Sequence, residues 1–168
     1  MNDVEYTFLR RQWFPVARSE DLTSEAPLAA RLLDSDLVLF RTGGVATVAG
    51  AYCPHCGMNL SMGAMVNGEL ECPYHGWRFG GDGKCAGIPS LPPGSSAGTS
   101  RLDLLPCLEL YGHVWSALER PEAGPPAVPE LDEPGGWHIR DGTPHDLPCG
   151  IRQLTENFRD IAHFPFVH

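Results

Sequence analysis

The chain has 168 residues, 42% of them hydrophobic, enough for one sizeable core or for a small domain plus part of another. A formal net charge of −9 argues against nucleic acid and anionic membrane as partners, because both select basic surfaces. No run approaches the roughly 18 apolar residues of a membrane span.

Residues Met1 to Trp13 contain no apolar core segment of the kind a signal peptide needs. Arg10-Arg11 is followed by Gln12-Trp13-Phe14-Pro15, without the apolar stretch of a twin-arginine signal. The expectation is a soluble, cytoplasmic protein whose six cysteines form no disulfides. The first thirty residues show no clear hydrophobic period, and Leu22 with Thr23-Ser24-Glu25 suggests a short capped turn at best.

Asp36 to Phe40 is strand-like, and Gly43-Gly44 followed by Val45 to Ala49 completes a hairpin. Asn67-Gly68, between Val66 and Leu70, is a strong two-residue hairpin signal. Trp77-Arg78-Phe79 alternates like a strand, and Gly80 to Gly83 makes the next turn. Leu91 to Ser100 reads as a loop, and Leu104 to Leu110 and Val114 to Leu118 flank a further hairpin turn at Tyr111-Gly112.

Residues 121 to 136 hold five prolines and predict a stiff linker. The spacing thus predicts a β domain over residues 1–120, its core at about 12–118, and a different unit over 137–168. In that last unit Ile151, Leu154, Phe158 and Ile161 recur at helical spacing. Glu156, Asp160 and His163 fall on the opposite face, and Pro165 should end the helix near His163–Phe164.

The chemistry concentrates in two short clusters, Cys53-Pro54-His55 and Cys72-Pro73-Tyr74-His75, with sixteen residues between His55 and Cys72. Zinc is the common occupant of cysteine-histidine quartets, but its knuckles usually begin C-x₂₋₄-C. A C-x-H loop facing a C-x-x-H loop instead suits a two-iron, two-sulfide centre in which two thiolates hold one iron and two imidazoles the other. Each loop also carries a glycine beside its ligands, Gly57 and Gly76, where backbone N–H groups can approach the sulfurs.

The wording around these ligands, Cys53-Pro-His-Cys-Gly57 and Glu71-Cys-Pro-Tyr-His-Gly-Trp-Arg-Phe79, closely resembles the two boxes of Rieske-type non-haem iron oxygenases. The resemblance extends to Gln12–Ala17, Asp36–Arg41, Gly83-Lys84-Cys85 and Ile88-Pro89-Ser90. It implies a mainly β fold, an antiparallel β-sandwich with the cluster at the loop tips, and Cys53, His55, Cys72 and His75 as ligands of a Rieske [2Fe–2S] cluster. Residue 56, commonly arginine in that family, is cysteine here and is expected as a free, buried thiol, with a fifth ligand or a bridge to Cys85 as the alternatives. Cys85, Cys107 and Cys149 should pack as small apolar residues.

Asn157-Phe-Arg-Asp160-Ile-Ala-His163-Phe-Pro-Phe-Val-His168 resembles the family's mononuclear iron motif. The resemblance implies His163 and His168 as ligands of a mononuclear non-haem Fe(II), Asp160 as a carboxylate bridging to a cluster histidine, and Asn157 behind them. His168 lies about 140° round a continuous helix from His163, so both reach one metal only if the backbone turns between them. The third, carboxylate ligand and the pocket-forming sheet of the family fall outside these residues, so the segment is expected as the start of an incomplete catalytic domain.

The function implied is electron transfer through the cluster within an oxygenase that hydroxylates or demethylates an organic, aromatic-type substrate. The implied partners are a reductase or ferredoxin donor and, at full length, two further copies in a homotrimer. The alternatives are a stand-alone ferredoxin-like electron carrier and an inactive shortened oxygenase.

Overall fold

The structure, a computed structural model, describes residues 3–92, 95, 97–132, 137, 140–142 and 147–167. The chain divides into two compact units, Met1–His138 and Ile139–His168. Among the described residues no helix is long and apolar enough to cross a membrane.

The first unit opens with helix α1 (Asp3–Leu9) and strands β1 (Phe14–Arg18), β2 (Leu28–Leu32), β3 (Ser35–Thr42) and β4 (Val45–Gly50). A one-turn 3₁₀ helix at Leu60–Met62 precedes β5 (Ala64–Val66), β6 (Glu69–Glu71), β7 (Arg78–Phe79) and β8 (Cys85–Gly87). Strands β9 (Cys107–Leu110) and β10 (His113–Ser116) and the short helix α2 (Pro129–Asp132) complete it. The strands form three antiparallel sheets, ordered β1-β10-β9, β2-β3-β4 and β5-β6-β7-β8. Fold class and the three foreseen hairpins agree with the sequence reading. Helix α1 and strands β1 and β2 replace the aperiodic stretch expected over the first thirty residues.

Strand β3 sits at the centre and explains how the sheets come together. Its side chains alternate between two buried cores. Val38 and Phe40 join Cys53, Leu60, Leu70, Cys72, Phe79 and Leu102, while Leu37 and Leu39 join Leu22, Leu32, Val48, Val114 and Leu118. A strand buried on both faces reads as a continuous apolar run, and Leu37-Val-Leu-Phe40 is one. The first core lies directly beneath the two cysteine-bearing loops.

Segment 100–105 stitches the loop-bearing sheet to β4. Leu102 N–H donates to Gly83 C=O (2.8 Å), Cys85 N–H to Ser100 C=O (3.0 Å), and Leu105 N–H to Val48 C=O (2.9 Å). Residues 121–132 of the expected linker are tied to the first unit. Trp13 Nε1 donates to Ala123 C=O (2.9 Å), and Tyr111 Oη donates to Asp132 Oδ1 (3.1 Å). Residues 133–136 lie outside the described ones.

In the second unit, α3 (Ile151–Arg159) ends at Asp160 and α4 spans Phe164–Val167. The helix therefore stops four residues before the expected boundary. Asp160 adopts extended backbone, and its Oδ1 accepts the Ala162 N–H at 3.0 Å. That local turn competes with continued helix. Pro165 then lies in the first turn of α4, where a missing N–H costs nothing. Ile151, Phe158, Ile161, Phe164, Phe166 and Val167 are all exposed.

Candidate cluster site

Two fingertips build the site, and both are closed by the same pair of backbone bonds. In the first, Cys53 N–H donates to Met58 C=O (2.8 Å) and Gly57 N–H to Cys53 C=O (2.9 Å). In the second, Cys72 N–H donates to Trp77 C=O (2.8 Å) and Gly76 N–H to Cys72 C=O (3.0 Å). Each finger thus starts at a cysteine and reverses over a glycine. Gly57 and Gly76 have φ of +70° and +68°, a backbone region that side chains with a Cβ rarely adopt. At Gly76 a Cβ would also fall 2.9 Å from Pro89 Cγ, so Pro89 lies against the second finger.

The cysteines point inward. Cys53 and Cys72 are each 3% exposed and share one core with Leu60, Leu70 and Phe79. Burial pushes the Cys53 thiol up to about 11, and the Cys72 sulfur adds to that rise. Backbone N–H groups of His55 and Cys56 aimed at the Cys53 sulfur act in the opposite direction. Those donors favour the thiolate, the form a metal requires.

The imidazoles point outward. His55 and His75 are exposed, with ring centroids 4.7 Å apart and planes at 59°. Trp77, half-buried against the core beneath, lays its ring on His55 at 4.4 Å and 7°. A residue of the second finger therefore holds the plane of a histidine of the first. Tyr74 contacts His75 at 3.8 Å between centroids. Trp77 stands in the second box of the sequence motif and at the start of a strand-like stretch, but neither position signals this stack.

Two buried sulfurs beneath two exposed nitrogens can serve one ion or two. Among the described residues, the one trio of His, Cys, Asp or Glu donors lying mutually within 4.8 Å is His55, Cys56 and His75. Neither buried thiol belongs to it. The thiols therefore form an inner, buried layer and the imidazoles an outer, exposed one. Two thiols in one layer and two imidazoles in the other are the donor set of a mixed-ligand [2Fe–2S] cluster, sulfur for one iron and nitrogen for the other, so the residues fit that group.

Cys56 is exposed, which corrects the expectation of a buried thiol. Residues 54–57 form the exposed fingertip itself, and only Cys53 turns into the core. Cys85 and Cys107 are half-buried, with their thiols directed at Gly87 C=O (3.6 Å) and Ala46 C=O (3.4 Å). Burial raises both, Cys107 to about 11. Cys149 is exposed, so it does not pack as expected. All six cysteines are unbridged.

Asp160 and His163 lie together in the second unit, Nδ1 of His163 3.5 Å from Oδ2 of Asp160. The Asp160 side chain is 58% exposed and that of His163 18%. His168, the other expected iron ligand, lies outside the described residues.

The chain is similar to known proteins in sequence and in fold. The Rieske [2Fe-2S] domain model matches residues 12–109. The chain is 32% identical to the methylxanthine N1-demethylase NdmA of Pseudomonas putida, over 100% of this chain and 49% of that protein. It is 35% identical to the oxygenase component of dicamba O-demethylase from Stenotrophomonas maltophilia, over 96% and 48%. Chlorophyllide a oxygenase of Chlamydomonas reinhardtii, a chloroplastic protein, is 36% identical over 95% and 24%. The solved structure of a Pseudomonas putida NdmA mutant with caffeine aligns at a TM-score of 0.75 and 28% identity, covering 99% of this chain and 51% of that one. The chain spans about half or less of the length of these relatives.

Proposed function

Because the chain belongs to the Rieske [2Fe-2S] domain family, we propose that Cys53 and Cys72 hold one iron of its cluster, His55 and His75 the other, and that the chain is the electron-accepting part of an oxygenase. The observation that supports the assignment is the layering of the site, two buried thiols beneath two exposed imidazoles on matching fingertips. When bound, the cluster takes up and releases one electron at a time, at about −150 to +300 mV for this ligand set.

The chain's own residues do the rest. Backbone N–H groups of His55 and Cys56 offset negative charge on the Cys53 sulfur. The core of Leu60, Leu70 and Phe79 keeps water from the inner side. The exposed edges of His55 and His75 give an outside donor or acceptor a short path. That donor is a reductase or ferredoxin.

In the second unit, His163 and His168 are the proposed ligands of a mononuclear iron. Asp160 is the proposed bridge to His75 of a neighbouring copy in a homotrimer; its exposed carboxylate is available for that role. The reaction served is O2-dependent hydroxylation or demethylation of an organic, aromatic-type substrate, in keeping with the demethylases and the oxygenase among its relatives. A reducing compartment such as the cytoplasm suits six unbridged cysteines.

Anaerobic reconstitution followed by metal and acid-labile sulfide analysis tests the assignment. The expected product is brown, with two sulfides and two irons per chain, or three irons where the mononuclear site also fills. His55→Ala and His75→Ala should each lower cluster content sharply. A colourless chain without acid-labile sulfide would refute the assignment.

A further inference from the structure

Four side chains account for the cluster and leave one donor at the fingertips without a role. Cys56 is exposed, and its sulfur lies with a nitrogen of His55 and a nitrogen of His75 mutually within 4.8 Å. A tetrahedral zinc, with Zn–S of about 2.3 Å and Zn–N of about 2.0–2.1 Å, needs donors about 3.3–3.6 Å apart. All three side chains are exposed, so rotation at the tip closes the remaining ångström or so without disturbing the core. The buried thiols lie outside that trio.

We propose that, in the chain awaiting its cluster, His55, Cys56 and His75 form a surface site for one thiophilic divalent cation, zinc above all, and that the bound cation blocks cluster insertion. One thiolate and two neutral imidazoles are a borderline-soft donor set that suits zinc and excludes magnesium and calcium. Water fills the fourth position at the exposed tip. Binding releases the Cys56 thiol proton to solvent, with no change of oxidation state. The inhibitory part rests on the assignment of His55 and His75 to the cluster. The cation site itself stands on the trio alone.

Cobalt(II), a coloured stand-in for zinc, tests the site on the full cluster-free chain. One cobalt should bind per chain, with tetrahedral visible bands and a thiolate charge-transfer band, and zinc should displace it. Cys56→Ala should abolish the charge-transfer band and weaken binding by at least about 100-fold, since it removes a direct ligand where loss of a supporting partner already costs 10–100-fold. Cys72→Ala should leave both in place. Survival of the band in Cys56→Ala with its loss in Cys72→Ala would place the ion on the buried thiols and overturn the proposal, as would failure of the wild-type chain to bind cobalt.

Reconstitution gives a second readout that does not require the stripped chain to hold its fold. One equivalent of zinc added before iron and sulfide should cut wild-type cluster yield about ten-fold, and that of Cys56→Ala less than about two-fold. Equal loss in both chains would overturn the blocking role. A wild-type chain that builds no cluster even without zinc would remove the cluster assignment, while the cobalt bands would still report on the trio.

Discussion

Cys53 shows how burial and chemistry work against each other in this site. Its thiol is desolvated and sits at about 11, yet as a proposed cluster ligand it must ionise, so cluster insertion would release a proton that acid returns. Iron retained against a chelator should therefore fall steadily as pH is lowered from 8 towards 5, and a flat profile would contradict thiolate ligation. Trp77 acts on the other layer of the site. Trp77→Leu should still build a cluster, but with a broadened electron paramagnetic resonance signal, because the His55 plane loses its only flat support among the described ring contacts. An unchanged line shape would show that the stack does not orient the ring. The four proposed ligands stand out in the sequence because ligand chemistry imposes local spacing, and the structure brings their two loops together. The Trp77 stack does not, since it joins residues 22 apart across two fingers, and neither does the exposure of Cys56, which depends on which way the fingertip turns.

At the scale of elements, turn chemistry carried most of the legible fold. Gly43-Gly44, Asn67-Gly68 and Tyr111-Gly112 all show positive φ at both positions, the condition of a tight two-residue hairpin. The β2–β3 hairpin escaped notice because it turns at Leu33, with φ of +55°, beside Asp34, a pair without that signature. Strand β2 itself reads Leu-Ala-Ala-Arg-Leu, a helix-forming composition overridden by its pairing with β3. Distant elements are tied together by Arg41 of β3, which grips Glu109 of β9 with two bonds of 2.9 and 2.7 Å and also donates to Leu22 C=O (2.9 Å). Arg41→Met should cost about 1–2 kcal/mol in urea unfolding, since it removes charge-assisted hydrogen bonds to Glu109 and to the Leu22 carbonyl. Hydrogen bonding from Arg41 holds Glu109 below the usual glutamate range. Its contribution is therefore complete above about pH 4.3, the ordinary glutamate value, and is lost as pH falls through the lowered one. The stability gap between wild type and Glu109→Gln should close in acid, and a gap that persisted there would rule out this ion pair as its source. Gly76→Ala should cost about 1–2 kcal/mol from its left-handed backbone alone, with the Pro89 contact adding to it.

At the scale of the whole molecule, the cluster loops and both buried cores belong to the first unit. A chain cut after residue 138 should keep the optical spectrum of the 168-residue protein, and loss of the cluster on truncation would contradict that independence. The second unit presents Ile151, Phe158, Ile161 and Phe166 to solvent, so the same truncation should lower aggregation, measured by light scattering. Its helical stripe from Ile151 to Phe158 was legible from spacing alone, whereas its end at Asp160, which leaves Ile161 outside the helix, was not, because a side-chain turn and not Pro165 sets it. The claim on which the rest depends is mixed ligation, sulfur within and nitrogen without. Pulsed electron paramagnetic resonance on the reduced, reconstituted protein tests it most directly. The account predicts a low-average-g signal with two coupled nitrogens, one lost in His55→Ala and the other in His75→Ala. A signal without nitrogen coupling, or couplings untouched by either substitution, would contradict it.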